Sequence, residues 1–238
     1  MLYHLLGSAP AGCPYQGSGP AGSFLALNKN VSKIIFRDHG LPTSDWQFLP
    51  HDPGPGFVPT LPYPLFAKPN AGGSSVDMAL VHGPREMELA LAAIFASGDE
   101  ALLEAYLPGC ELTCGVLGDE TLPLVAINPK SGAGFFDYDS KYTVGQCEEI
   151  CPAPVGAALT KRIQEITLAA HRALGLTGYS RADFIVVDDT PWLLEVNTLP
   201  GMTTTSLLPQ EAAAVGLDFP ALIARLLELG LARTRERS

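Results

Sequence analysis

Two carboxylates and one amide lie close together in a segment that reads as a hairpin: Ala182-Asp-Phe-Ile-Val-Val, then Asp188-Asp-Thr-Pro, then Trp192-Leu-Leu-Glu-Val-Asn. Side chains alternate along a strand, so Glu195 and Asn197 share a face. Asp183 lies opposite residue 195, 196 or 197, depending on how the turn closes. A slip of one residue decides whether it joins that face. In the joining register the donors are all oxygens, which suits Mg²⁺ or Mn²⁺ with substrate phosphates filling the remaining positions. In the other registers the segment is a solvent-facing hairpin with ordinary surface acids.

A second group is Lys68-Pro-Asn-Ala-Gly-Gly-Ser-Ser-Val, a lysine at a strand end followed by a glycine-rich turn. Glycines let a backbone approach a phosphate closely, and the lysine adds positive charge. No G-x-x-x-x-G-K-[ST] pattern occurs, so this is not a P-loop. Gly17-Ser-Gly-Pro-Ala-Gly22 satisfies G-x-G-x-x-G formally, but no apolar strand precedes it and Pro20 interrupts it. A dinucleotide fingerprint needs a strand–turn–helix context. Cys110-x-x-x-Cys114 invites a zinc reading, yet at the start of a strand four residues span about 13 Å, too far for one tetrahedral ion. The histidines show no ligand spacing.

The elements that must position these residues are mixed in type. Phe24, Leu27, Val31, Ile34 and Ile35 predict one helix over 23–39, closed by Gly40 and Pro42. Residues 50–64 are a Pro/Gly-rich connector. Strands are expected at 65–68, 76–81, 102–107, 112–117 and 122–127, with helices at 84–97 and 155–174. Residues 130–153 read as a polar mobile loop. Two short helices follow near 210–215 and 219–229, then a solvated tail from Arg233. This order is α+β and lacks the even alternation of a doubly wound sheet.

Composition narrows the function classes. The 15 basic against 25 acidic residues leave a net charge of −10, a field that repels nucleic-acid backbones while allowing a local basic pocket. With 47% hydrophobic and 17% charged residues the chain has material for a buried core and is not globally disordered. No run of 18 apolar residues is present, and the start lacks the features of a signal peptide, so neither a membrane partner nor export is expected. Five cysteines, an odd number, fit reduced thiols in a cytoplasm.

Taken in order, the pieces resemble the D-alanine–D-alanine ligase branch of the ATP-grasp superfamily. The stretches that carry the resemblance are Pro14-Tyr-Gln-Gly-Ser-Gly, Leu27-Asn-Lys, the Lys68 segment, Glu104-Ala-Tyr-Leu-Pro-Gly-Cys-Glu111, Tyr138-Asp-Ser-Lys-Tyr142, Tyr179-Ser-Arg-Ala-Asp183 and Leu194-Glu-Val-Asn-Thr-Leu-Pro-Gly-Met202. The resemblance implies two α+β subdomains sandwiching ATP, a central one over 23–104 and a C-terminal one with the metal site over 105–238. Residues 1–22 would be a remnant of the family's N-terminal domain.

The resemblance also implies roles. Lys29 and Lys68 would contact the phosphates, with the loop around Ser74 and Ser75 closing over them. Glu104 would meet the adenine edge beside backbone near Leu107, and Glu111 would hold the ribose hydroxyls. Lys141 would reach the γ-phosphate. Asp183, Glu195 and Asn197 would ligate Mg²⁺ or Mn²⁺. Arg181 and the Gly201 N–H would stabilise the oxyanion, and Ser206 and Leu207 would seat the second amino acid's carboxylate. Ser74 and Tyr142 would orient the first D-alanine together with a glutamate of the N-terminal domain, and Tyr142 favours D-alanine over D-lactate as acceptor.

The implied protein is a cytoplasmic ligase, with a homodimer as its expected assembly, joining two D-alanines through an acyl phosphate for peptidoglycan precursor synthesis. Its partner is a small-molecule substrate, with no nucleic acid and no membrane. Only about 13 residues precede the Pro14 motif, where family members carry a whole domain. A chain lacking most of that domain is therefore expected, and two alternatives stand beside the ligase: a non-catalytic Mg-ATP-binding remnant, and a carboxylate–amine ligase for other amino acids.

Overall fold

The computed structural model describes residues 15–71, 78–129 and 147–236. Two antiparallel sheets organise them, and the element types are those of the expected α+β class. The first sheet holds β1 (Trp46–Leu49), β2 (Leu65–Pro69), β3 (Ala79–Val81) and β4 (Ala101–Ala105) in the spatial order β1-β4-β2-β3. The second holds β5 (Cys110–Leu117), β7 (Val125–Pro129), β8 (Cys147–Ile150), β9 (Tyr179–Val187) and β10 (Thr190–Asn197) in the order β10-β9-β5-β7-β8, with the short β6 (Glu120–Thr121) beside β5. The helices are α1 (Pro20–Leu27), α2 (Lys29–Asp38), α3 (Pro84–Ala96), α4 (Ala157–Ala173), α5 (Leu207–Ala214) and α6 (Phe219–Glu236).

Alternation along the strands sorts each sheet into an apolar and a polar face. In the first sheet Leu65, Ala67, Ala101 and Leu103 pack with Met87, Leu91 and Ile94 of α3. Phe66, Lys68 and Glu104 therefore point the other way. In the second sheet Leu112, Cys114, Ala182, Phe184, Leu193 and Val196 pack with Ile163, Ile166 and Ala170 of α4. Burying a side chain such as Phe184, which is fully enclosed, contributes about 1.5–3 kcal/mol. Ala26 of α1 and Phe36 of α2 join this second core, although both helices precede the first sheet in the chain.

The single helix expected over 23–39 is two helices. Asn28 breaks it with an extended backbone (φ −81°, ψ 101°), and its side chain caps α2 by accepting from the Val31 N–H at 3.0 Å. Asn70, beyond β2, holds the break open: its carbonyl accepts from Lys29 N at 3.0 Å and its Oδ1 from Asn30 N at 2.9 Å. Lys29 thereby opens a new helix next to the end of β2.

Three further differences stand out. β1 falls in a stretch where the sequence suggests no element, and β8 in the expected loop, whose residues 130–146 lie outside the described residues. The expected tail at Arg233 is still helix, and its guanidinium stacks 4.1 Å from the Tyr15 ring centroid while donating to the Tyr15 carbonyl at 3.0 Å. No helix among the described residues is long and apolar enough to cross a membrane.

Candidate functional site

The polar face of the second sheet owes its composition to one extra residue. β9 and β10 are joined by a two-residue turn with Asp188 (φ 46°) and Asp189 (φ 59°) both left-handed, the geometry that matches the twist of a hairpin. Pairing runs regularly from Val187↔Thr190 to Phe184↔Leu193, then shifts, so that Glu195 rather than Leu194 stands opposite Asp183. Leu194 is the bulged residue. Without it, Leu194 and Val196 would face Asp183 while Glu195 and Asn197 turned into the apolar core. The register left open by the sequence is thus the joining one, and a bulge sets it.

Asp183 is the hub of this face. Its Oδ1 accepts from Thr113 Oγ1 at 2.7 Å and Arg181 Nε at 2.8 Å; its Oδ2 accepts from Arg181 Nη2 and Asn197 Nδ2, each at 2.9 Å. Asn197 Nδ2 also reaches Glu195 Oε1 at 3.4 Å. Burial works against the Arg181 charge, but Asp183 more than restores it and keeps the guanidinium firmly protonated. Two carboxylates and an amide fit a hard divalent cation, since the Asn197 side chain presents its Oδ1 to the same place when turned end for end. Among the described residues no group of three His, Cys, Asp or Glu stands together as a metal site. A cation held here would take its remaining ligands from outside the protein.

A layer of lysines faces these acids from the first sheet and α2. Lys29 Nζ stands 3.7 Å from Glu195 Oε2 and joins α2 to β10. Burial pulls its ammonium below the usual lysine range, and Glu195 opposes that pull. Lys68, at the end of β2, pairs with Glu104 of β4. Glu104 is buried and turned inward, its Oε1 taking Lys33 Nζ and Ser44 Oγ, both at 2.5 Å. Lys33 also donates to Thr43 Oγ1 at 2.6 Å and Ser44 Oγ at 3.1 Å. Burial lowers the Lys33 ammonium, while Glu104 resists.

Lys33 and Thr113 were not among the residues singled out by sequence. Lys33 follows Lys29 by one helical turn, a spacing that puts both on one face of α2 and was the available signal. Thr113 offered none.

The other expected site residues distribute as follows. Glu111 is buried on β5, on the same face as Thr113. The Leu107 carbonyl accepts from Gly109 N at 3.0 Å. Gly201 packs so tightly that an added Cβ would lie 2.9 Å from Ser206 Oγ. Ser206 precedes α5, which begins at Leu207, and its Oγ accepts from the Thr203 N–H at 3.0 Å. Ser74, Ser75, Lys141 and Tyr142 lie outside the described residues.

One buried carboxyl on this face has no counterpart in the sequence reading. Glu211 of α5 fills the space left by Gly115 of β5: a Cβ on Gly115 would sit 2.2 Å from Glu211 Oε2 and 2.5 Å from Leu208 Cδ1. Gly115→Ala is expected to destabilise by about 1–3 kcal/mol through overpacking. Urea unfolding should show it as a lower midpoint at unchanged slope.

Comparison with known proteins adds relatives across nearly the whole chain. A family model described as the D-ala D-ala ligase C-terminus matches residues 35–228. A D-alanine–D-alanine ligase of Nitratidesulfovibrio vulgaris is 62% identical over 222 residues, covering 93% of this chain and 73% of its own length. One from Desulfovibrio desulfuricans is 58% identical over 227 residues, covering 95% and 74%. Among solved structures, the D-alanine–D-alanine ligase of Bacillus anthracis complexed with ATP superposes with a TM-score of 0.83 at 33% identity, covering 99% of this chain and 76% of that one.

Proposed function

The chain belongs to the D-alanine–D-alanine ligase family, and from that membership we propose that it is an ATP-dependent ligase that joins two D-alanines for peptidoglycan precursor synthesis. The fold is the ATP-grasp fold, with ATP and Mg²⁺ as the implied nucleotide and cation. The division into a central subdomain over 23–104 and a C-terminal one over 105–238 belongs to this reading, supported by the separate apolar cores of the two sheets. So does the assignment of residues to roles. The observation that carries it is the register of the β9–β10 hairpin, which gathers Asp183, Glu195 and Asn197 opposite the Lys29 and Lys68 layer.

The chemistry follows from charge. A carboxylate is a poor electrophile, so the γ-phosphoryl group first passes from ATP to an oxygen of one D-alanine carboxylate, leaving ADP. The amine of the second D-alanine then attacks the acyl carbon: the C–N bond forms, the C–O bond to phosphate breaks, and the amine loses a proton. Asp183, Glu195 and Asn197 would hold Mg²⁺, which would supply neutralisation of the charge on the transferring phosphoryl group.

Lys29 and Lys68 hold the phosphates, each nearly enclosed, so that a contact with a phosphate oxygen is little screened by water. Glu104 fixes Lys68 from behind, and in this reading it also meets the adenine edge beside the backbone near Leu107. Glu111 meets the ribose hydroxyls. Arg181, kept protonated by Asp183, and the Gly201 N–H stabilise the oxyanion of the tetrahedral species. Ser206 and Leu207 seat the acceptor carboxylate at the start of α5, where the Leu207 N–H belongs to the first turn and has no intrahelical partner, while the Ser206 N–H is held by the Thr203 carbonyl.

Ser74, Ser75, Lys141 and Tyr142 complete the assignment from the sequence motifs alone. A homodimer is part of the reading, supported by exposed Leu227 and Leu231 one turn apart on α6. A cytoplasmic location is also part of it, supported by the free thiols of Cys110, Cys114 and Cys151.

The test is ADP release by the purified chain with Mg-ATP, against blanks without alanine and with L-alanine. Release that depends on D-alanine, with D-alanyl-D-alanine as product, is the expected result. A folded sample that releases no more ADP with D-alanine than with L-alanine overturns the proposal.

A further inference from the structure

Arg181 stands between two carboxyl groups, and only one of them holds it. Across the second sheet Thr113, Asp183 and Glu195 form one row on the polar face, and Gly115, Arg181 and Asn197 form the next. Gly115 adds no side chain to its row, and the Glu211 carboxyl occupies that place, 2.2 Å from where a Gly115 Cβ would be. Directly paired residues carry their Cβ atoms about 4.5–5.5 Å apart, so Glu211 flanks Arg181 on the side away from Asn197. It is fully buried, yet neither carboxyl oxygen accepts a hydrogen bond. Burial pushes its carboxyl well above the usual range, Arg181 pulls it back, and Asp183 pushes it up again. An unsatisfied buried polar group weakens a fold, so this one requires an explanation.

Asp183 is in the opposite condition. A carboxylate has about four lone-pair positions, and Thr113, Asn197 and the two Arg181 contacts already fill that number. A cation can ligate Asp183 only by displacing a donor. Asn197 leaves Asp183 Oδ2 when its amide turns to present its own oxygen, and the positive Arg181 Nη2 on that same oxygen is then repelled by the cation, so Arg181 yields as well. The acceptor waiting beside it is Glu211.

Resting on the reading of Asp183, Glu195 and Asn197 as cation ligands, we infer that Glu211 is a positioning residue for Arg181. It takes over the guanidinium when a divalent cation engages Asp183, and so keeps Arg181 aimed at the site.

The experiment measures Mn²⁺ binding to the full chain in the presence of ADP, by loss of the free-ion EPR signal. Glu211→Met keeps the volume and removes both oxygens. Its Mn²⁺ affinity is expected to fall about tenfold while its thermal midpoint rises, because the unsatisfied carboxyl is gone. A merely structural Glu211 would not couple a gain in stability to a loss of cation affinity. Affinity within about twofold of the unmodified chain, less than one hydrogen bond is worth, overturns the inference.

A second measurement uses the unmodified fold and does not depend on that variant. The Arg181 ¹⁵Nε resonance, assigned by its loss in Arg181→Lys, is expected to shift as Mg²⁺ is added with ADP. A resonance that stays in place through saturation overturns the transfer. If the unmodified chain itself binds no Mn²⁺ with ADP, the cation-ligand reading fails, and the inference falls with it.

Discussion

Glu195→Gln is expected to lower D-alanine-dependent ADP release by about three orders of magnitude at saturating ATP. The substitution preserves shape and one oxygen but removes one of the two negative charges on the hairpin. It also leaves Lys29, 3.7 Å away, without that carboxylate. Both losses fall on the same event, the passage of a highly charged phosphoryl group, so turnover should suffer far more than nucleotide affinity. The fold should not suffer much, because the Glu195 side chain retains 29% exposure and its pair with Lys29 is long. Raising Mn²⁺ should recover part of the rate, since a weakened cation site saturates later; a misfolded variant has no reason to respond. Turnover equal to that of the unmodified chain would remove Glu195 from the site and, with it, the hairpin as a cation platform.

That prediction depends on a feature the sequence announced only in part. Alternation placed Glu195 and Asn197 on one face, and Asp188-Asp-Thr-Pro marked a turn, of which Thr190 and Pro191 prove to be strand. The bulge at Leu194 that brings Asp183 to the same face has no local signature, because it is fixed by which neighbours fill the core beneath it. Asn28 is similar. Its residue type suits a cap, but the apolar stripe on both sides argued for a continuous helix, and only Asn70, distant in the chain, holds the break.

Lys33 illustrates the other kind of blindness. A lysine on an amphipathic helix reads as solvated, and its burial depends on Thr43 and Ser44 from one stretch and Glu104 from another. Glu211 is more extreme still, since its position makes sense only once Gly115 leaves a gap on another strand. The motif residues were legible because they are local strings. The residues that brace them were not, because their partners are set by packing.

The bracing carries the second large expectation. Glu104→Gln is expected to destabilise the fold by about 3–5 kcal/mol, the usual loss when a buried ion pair is broken from one side. Glutamine fits the space but leaves the enclosed Lys33 and Lys68 ammonium groups without an anion between them, and the hydroxyls of Thr43 and Ser44 cannot replace the lost charge.

The pH dependence should separate this from simple loss of packing. Burial alone would push the Glu104 carboxyl up, but Lys33 and Lys68 together hold it well below the usual carboxylate range. A group depressed in the folded state contributes its stability above the unfolded value, about 4.3 for a glutamate, and loses it as pH falls from there. The unmodified chain should therefore weaken below about pH 4.3, and Glu104→Gln should lack that component. The variant should instead gain stability as pH rises toward the ordinary lysine range. Lys33, already lowered by burial against the pull of Glu104, then sheds its proton more readily in the folded than in the unfolded chain. Urea midpoints across that range measure both limbs. A loss below about 1 kcal/mol, the scale of a solvated pair, with no change in the acid limb would mean that Glu104 is not the anchor of the lysine layer.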